Sequence, residues 1–395
     1  MSRIELRASF SLAAIFALRM FGLFLVFPIF ALHAHTLPDG QNAALVGLAM
    51  GIFGLTQACL QIVFGMASDR YGRKPVIVTG LLLFAVGAGV AAASTTVWGL
   101  LIGRAIQGAG AISAAITALL ADTTREQHRT KAMALIGGSI GLSFALSLVL
   151  APMLYLQIGM SGIFVVIAIL ALLAIPLVIW LAPNAPKVVT APVSLLSVLR
   201  DRELMRLNWG VFVLHLSQVA MFMVVPSALI EMAEIPLTRH WEVYLPVVLL
   251  SFCLMLGMIV KAEKRGKMKA VFVAGIALLS LVQVGFATLP FSSLTLIVLL
   301  FAFFLGFHIL EASLPSMVSR LAPASAKGAA LGVYNTLQAL GVGCGGALGG
   351  FLIQQWGARS VFILSAVLSL IWLIIAHRMA ELPVRGRPNS VEKTE

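Results

Sequence analysis

Five ionisable side chains stand inside otherwise apolar stretches of this sequence: Arg19, Arg104, His215, His308 and Glu311. A charge at the centre of a bilayer costs roughly 2.5–3.5 kcal/mol on insertion scales, so each of them implies a task. Desolvation favours the neutral form of a carboxyl group. Glu311, the one carboxylate well inside such a stretch, is therefore the candidate for a site that gains and loses a coupling proton. The competing reading is a static ion pair with a cation such as Arg19. His308 and Glu311 are spaced i, i+3 and are expected on one helix face. His215 reads as a substrate ligand or as a core histidine satisfied by its neighbours. Gln107 lies one turn on from Arg104, and Gln218 one turn on from His215, so both are candidates to line the same cavity. Gln57, Gln61 and Gln338 read instead as hydrogen-bonding glue between helices.

The elements that must hold these groups follow from composition. Of 395 residues, 60% are hydrophobic and 11% charged, with a mean hydropathy of +1.03. A soluble domain carries roughly 25% charged residues, so this chain lacks the polar surface to face water all round. A membrane-spanning helix needs about 20 apolar residues. Hydropathy bounded by charges and turn residues gives twelve spans, near 8–32, 44–67, 75–94, 98–121, 131–156, 161–182, 207–231, 241–261, 269–289, 292–318, 327–354 and 358–379. The expected fold is an all-α integral membrane protein of two pseudo-symmetric six-helix bundles. They cover residues 1–182 and 207–379, with a linker at 183–206 and a tail at 380–395. The first span is too long for a signal peptide and is expected to be retained.

The charges test this scheme. Of the 27 Lys and Arg residues, 23 fall on one side of the spans, only Arg239 and Arg359 on the other, and Arg19 and Arg104 within. That asymmetry predicts both termini in the cytoplasm. It also explains the formal net charge of +12 without nucleic acid, because no basic cluster is interleaved with aromatic residues. Cys59, Cys253 and Cys344 are isolated within spans, with no metal-ligand spacing, and read as small core residues. No metal or cofactor is implied.

The halves are related internally. Lys131-Ala-Met-Ala-Leu135 matches Lys327-Gly-Ala-Ala-Leu331, and Gly159 and Phe164 match Gly357 and Phe362. If each half holds two three-helix units, spans 1, 4, 7 and 10 are equivalent first helices. These four carry the buried ionisable groups, which predicts a polar central cavity walled by them. At about 1.5 Å per residue, Arg19, His215 and Glu311 lie near the midplane and Arg104 nearer the outer face.

The loop between spans 2 and 3 is the most specific motif. It reads Gly65-Met-Ala-Ser-Asp69-Arg70-Tyr-Gly72-Arg73-Lys74-Pro75. Gly65 allows close helix approach, Gly72 a tight turn, and Pro75 suits the first turn of a helix. Asp69 suits a helix N-terminus, where free N–H groups favour negative charge. Asp122, at the end of span 4 on the same side, is placed to pair with Arg73. An ordinary topology-setting basic loop is the plainer alternative.

This segment closely resembles motif A of the major facilitator superfamily, and Arg104-Ala-Ile-Gln107-Gly108-Ala-Gly110 resembles the span-4 motif of its drug:proton antiporter branch. The resemblance implies a transporter rather than an enzyme, and a monomer in the bacterial inner membrane. It implies a gate in which Asp69 meets the start of span 11 near Lys327 and Gly328, locked by Arg73 and Asp122. In the second half Lys261 stands where Asp69 would be, so one latch is expected. Three departures stand out. Arg19 replaces the acid that many such antiporters carry in span 1. The span-5 signature is partial (Gly137-Gly138, Gly141 and Ala151-Pro152). The first half has no acid within a span.

The expected function is alternating access driven by the proton gradient, exporting a small amphipathic compound. Arg19, Arg104, Gln107, His215, Gln218, His308 and Glu311 form the substrate and coupling site. Gly65, Asp69, Arg70, Gly72, Arg73 and Asp122 form the gate. The rivals are uptake of an organic anion or sugar, with Arg19 as ligand, and a non-transporting receptor or scaffold. No nucleophile–base pair, nucleotide loop or metal cluster suggests an enzyme.

Overall fold

The computed structural model describes residues 1–184, 195–323 and 326–379. The middle of the linker, with Lys187, and the tail from 380 lie outside the described residues. Eleven helical stretches are long and apolar enough to cross a membrane. One of them, Lys131–Leu181, has 51 residues, or about 75 Å of helix against a hydrocarbon core of about 30 Å. It breaks at Gly159, whose φ of 66° and ψ of −176° suit a residue without a Cβ. Two crossings result, as the sequence divides them, and the described residues contain twelve.

In chain order the crossings are α1 (Arg3–Val26), α2 (Ala43–Tyr71), α3 (Arg73–Ala92), α4 (Val97–Thr123), α5 (126–158), α6 (160–176), α7 (Arg202–Glu231), α8 (His240–Arg265), α9 (Met268–Thr288), α10 (Ser293–Leu321), α11 (Lys327–Trp356) and α12 (Arg359–His377). Polar side chains start several of them by accepting free backbone N–H groups. Asn42 takes Leu45 N, Thr96 takes Gly99 N, Asp201 takes Glu203 and Leu204 N, and Ser292 takes Thr295 N. Large apolar residues such as Leu281, Leu294 and Val298 are exposed. In water they would be a liability; in lipid they are the expected outer surface.

The internal repeat is visible as a repeated contact. Arg7, in the first helix of the first half, donates from Nε to Leu181 O (2.9 Å) and from Nη2 to Trp180 O (2.6 Å). Arg206, in the first helix of the second half, donates to Arg378 O (3.1 Å). In each half a cation on the first helix caps the free carbonyls that end the last.

The halves are not in contact along their whole length. Toward the face without the basic loops, α2 and α11 pack backbone to backbone. A Cβ on Gly47 would strike Gly346 and Gly350, one on Gly51 would strike Gly343, and one on Gly54 would strike Ala339 and Gly343. Ala43 N donates to Gln354 Oε1 across the same seam (2.8 Å). Aromatic rings close the other side: Phe27 stacks on Phe222 at 5.9 Å, and Phe144 meets Phe304 and Phe307 at 5.9 and 6.0 Å. At the basic face, by contrast, Gly328 and Gly332 of α11 look onto open space. The molecule is thus shut on one face and parted on the basic one.

Candidate functional site

His215, Glu311 and Gln338 meet from α7, α10 and α11. The Nδ1 of His215 lies 3.0 Å from Val211 O. A carbonyl only accepts, so Nδ1 carries the hydrogen and Nε2 faces the cluster. That Nε2 lies 2.7 Å from Gln338 Nε2 and 3.6 Å from Glu311 Oε2. The Glu311 side chain is 32% exposed, yet its Oε2 is buried and has no hydrogen-bond partner. Pro315 sits inside α10. Lacking an N–H, it leaves the carbonyl of residue 311 without its helical donor and loosens the helix at this carboxylate. Phe307 presents an edge contact to the imidazole at 5.9 Å. Gln218 is buried one turn along α7, and Tyr334, one turn before Gln338, is buried with an unpaired hydroxyl.

His308 does not share this face. Its Nδ1 lies 3.1 Å from Ser251 Oγ on α8, and its ring meets Phe252 edge-on. Residues three apart on a helix differ by about 60° in direction, enough here to send His308 toward α8 and Glu311 toward α7. The expected shared face is corrected accordingly.

Arg19 and Arg104 also depart from expectation. They do not wall a central cavity; they are 1% and 0% exposed and lie inside the first half. Arg19 donates to Ser113 Oγ (3.1 Å), Gln57 Oε1 (3.2 Å) and Gly110 O (3.2 Å). Gly110 is where α4 unwinds (φ −75°, ψ 56°), and its carbonyl, which accepts from Ile112 N at 2.9 Å, takes the guanidinium as a second donor. Arg104 donates to Gln107 Oε1 (3.3 Å) and Met50 O (3.5 Å). Phe53 lies between them, its centroid 5.9 Å from the Arg19 guanidinium and 4.9 Å from that of Arg104. Burying an ion costs several kcal/mol. Charge-assisted hydrogen bonds at roughly 1.5–3 kcal/mol each, with a ring face beside them, offset that cost. The cation facing Glu311 is therefore not Arg19, and the ion pair between those two is absent.

Gln57 does bridge helices, through Arg19. Gln61 is buried with both amide atoms unpaired, so the expected glue is missing there. Gln338 was legible only as glue, and the structure makes it a member of the central cluster. A tyrosine and a glutamine at i, i+4 on a glycine-rich helix were the signal for it.

At the basic face Arg73 joins the motif residues. It pairs with Asp69 (2.5 Å) and Asp122 (3.0 Å), and donates to Ser68 Oγ (2.7 Å). Arg70 stacks over Tyr71. Gly65 approaches Ala114 of α4, and Gly72 takes φ 98° between α2 and α3. Asp69 remains 67% exposed, because α11 stands away on this face. The α2–α11 register is antiparallel, with 47 against 346 and 350 and 54 against 339 and 343. Continued for roughly four more turns, it brings Asp69 opposite Lys327 and Gly328. The second half carries an ion pair between its own helices, comparable to Arg73–Asp122 with charges exchanged. Glu263 at the end of α8 accepts from Arg320 at the end of α10 (3.0 Å).

Two helical halves, shut at one face and parted at the other around a buried polar cluster, define a membrane transporter of small molecules. The sequence matches the family model of the Major Facilitator Superfamily over residues 10–342 and 241–395, and the chain belongs to that family. It is 43% identical over 385 residues to the inner membrane transport protein YajR of Escherichia coli (strain K12), covering 96% of this chain and 84% of that protein. It is 30% identical to the multidrug resistance protein MdtH of Yersinia enterocolitica, over 83% of this chain and 81% of the relative. Among solved structures, a bacterial homolog of the human lysosomal transporter Spinster, in an inward-facing and occupied conformation, superposes with a TM-score of 0.74. It shares 11% identity and covers 95% of this chain and 97% of that one, which speaks for the fold alone.

Proposed function

We propose that this protein is a proton-driven exporter of small amphipathic compounds, working by alternating access in the bacterial inner membrane with its basic face toward the cytoplasm. The observation that carries this reading is the His215–Glu311 pair, at the height where the halves part, with Glu311 Oε2 3.6 Å from the imidazole and without a hydrogen-bond partner. A carboxyl group so placed can take a proton or a substrate cation, and exchange between the two is what antiport requires. The ring of Phe307 beside the pair suits an apolar body carrying a positive or neutral polar group. The similarity to MdtH supports export, and the similarity to YajR supports the inner membrane. Positive-inside asymmetry supports the orientation.

In this scheme Asp69, with Arg73 and Asp122, closes on the start of α11 when the opposite face opens. Arg19 and Arg104, with Gln107, hold α1, α2 and α4 as one body. Uptake of an organic anion through Arg19 loses its support, since that guanidinium is engaged within the first half.

The test is a panel of amphipathic cations, neutral compounds and anions in inside-out membrane vesicles energised with a proton gradient. Accumulation of a cation or neutral compound that collapses with the gradient supports the reading. Accumulation that ignores the gradient, or efflux of anions alone, overturns it.

A further inference from the structure

Gln338 stands where the packing of α2 and α11 changes. Its neighbour Ala339 presents the carbonyl against Gly54, the last close contact of the glycine seam; from there toward the basic face, Gly332 and Gly328 have nothing beside them. About 15 Å of α11 lies between residue 338 and residue 328. A small rotation at Gln338 is therefore a large displacement at the end that has to reach Asp69.

The amide of Gln338 is also bound to the one ring nitrogen of His215 that its own helix does not hold. With Nδ1–H committed to Val211 O, His215 Nε2 either accepts from the Gln338 amide N–H or, protonated, donates to its Oε1. The side-chain amide turns over to serve both states. The two links are not equal: the charge-assisted one is roughly twice as strong and favours short separations of about 2.7–2.9 Å. The 2.7 Å contact here is between the two Nε2 atoms, the arrangement of the uncharged link, and turning the amide over brings its Oε1 to the same place. Among the described residues, the polar and aromatic groups in contact with this imidazole are Glu311 and Phe307 from α10, Gln338 from α11, and Val211 from its own helix. Tyr334 lies within electrostatic reach of Glu311, while His308 turns to Ser251 and the two buried arginines are held in the other half.

We infer that Gln338 is a positioning residue that ties the protonation state of the His215–Glu311 pair to the swing of α11. The inference rests on the proton-coupled reading above and adds the part that transmits the proton's arrival. A proton adds to the Nε2 lone pair of His215, and no other covalent bond changes. The charged imidazole then holds Gln338, and with it α11, to α7, which keeps the basic face parted. Loss of the proton weakens the link and leaves α11 free to close on Asp69. This order suits export, in which protonated carrier faces the cytoplasm and releases its proton there.

The test measures distance rather than transport. Spin labels at Tyr71 and Ala329 report the gap between α2 and α11 in the full chain in lipid nanodiscs, with Cys59, Cys253 and Cys344 replaced by serine. Lowering the pH from about 8 to about 5, across which histidine titrates, is expected to raise the open-to-closed ratio at least roughly threefold. Gln338→Leu is expected to abolish that response without altering the melting temperature, and Gln338→Glu, which still offers an acceptor, to restore it. A purely structural Gln338 would change the melting temperature and leave the pH profile alone. A wild-type gap indifferent to pH, or a Gln338→Leu gap that responds like wild type, overturns the inference. Should Gln338→Leu fail to fold, Gln338→Met takes its place with the same two outcomes. Proton-driven export failing in vesicles while the gap responds as expected would instead overturn the proposed function and leave this coupling in place.

Discussion

Gly51 and Gly343 meet backbone to backbone, with no room on either for a Cβ. The contact belongs to a seam that runs only through the half of α2 and α11 away from the basic loops. Close approach of two helices within a membrane is driven by packing of small residues rather than by exclusion of water. A side chain at this point therefore acts as a wedge on one face of the transporter.

Gly51→Val is expected to open that face and shift the population toward closure at the basic face. The distance between labels at Ala43 and Gln354 measures it, and should lengthen in the variant. An unchanged distance would mean that the seam does not govern the conformation.

The cluster at the basic face separates two roles. Arg73 and Asp122 are bonded and mostly buried within the first half, whereas Asp69, on the same guanidinium, is largely exposed and is the residue proposed to meet α11. Asp122→Asn is expected to lower the melting temperature, because it weakens a part-buried bond between α3 and α4. Asp69→Asn should leave the melting temperature within about 2 °C, as for most exposed charges, yet reduce transport at least roughly tenfold, about 1.4 kcal/mol of barrier. Equal effects of the two on stability would contradict the assignment of Asp69 to the moving contact.

Arg19 makes the opposite case. Replacing it by Met removes a charge but strands Gln57 Oε1, which costs about 1–3 kcal/mol when left unmade, and leaves the carbonyl of Gly110 with Ile112 N as its one donor. Arg19→Met is expected to destabilise the protein by roughly 2–4 kcal/mol in the absence of any substrate. Arg19→Lys should not rescue it, since a point charge on a flexible stem cannot reach three acceptors in the guanidinium's fork. Thermal unfolding followed by intrinsic fluorescence decides this. Wild-type stability combined with lost anion affinity would return Arg19 to the role of a ligand.

Much of the fold was legible in the sequence because a bilayer makes hydropathy and charge sidedness into geometric constraints. The twelve crossings, including the division near Gly159, follow from that alone. The pairing of Arg73 with Asp122 was legible too, since both ends sit on the same face at known heights. What was not legible depends on rotation about helix axes. A change of about 60° decides whether His308 faces Glu311 or Ser251, and whether Arg19 faces a cavity or Gly110. The break of α4 at Gly110, which creates Arg19's third acceptor, has no proline to announce it. The ion pair of Glu263 with Arg320 was hidden for a different reason: a search for an acid where Asp69 has its counterpart finds Lys261, and misses the acid two residues later.

The most direct test of the account is proton flux into proteoliposomes of purified protein, driven by a solute identified in the vesicle panel. Glu311→Gln keeps the shape of the side chain and removes its proton exchange. The account predicts that solute-dependent proton flux disappears in this variant while the solute still binds. Flux through Glu311→Gln at the wild-type rate would contradict it and leave Glu311 as a structural residue.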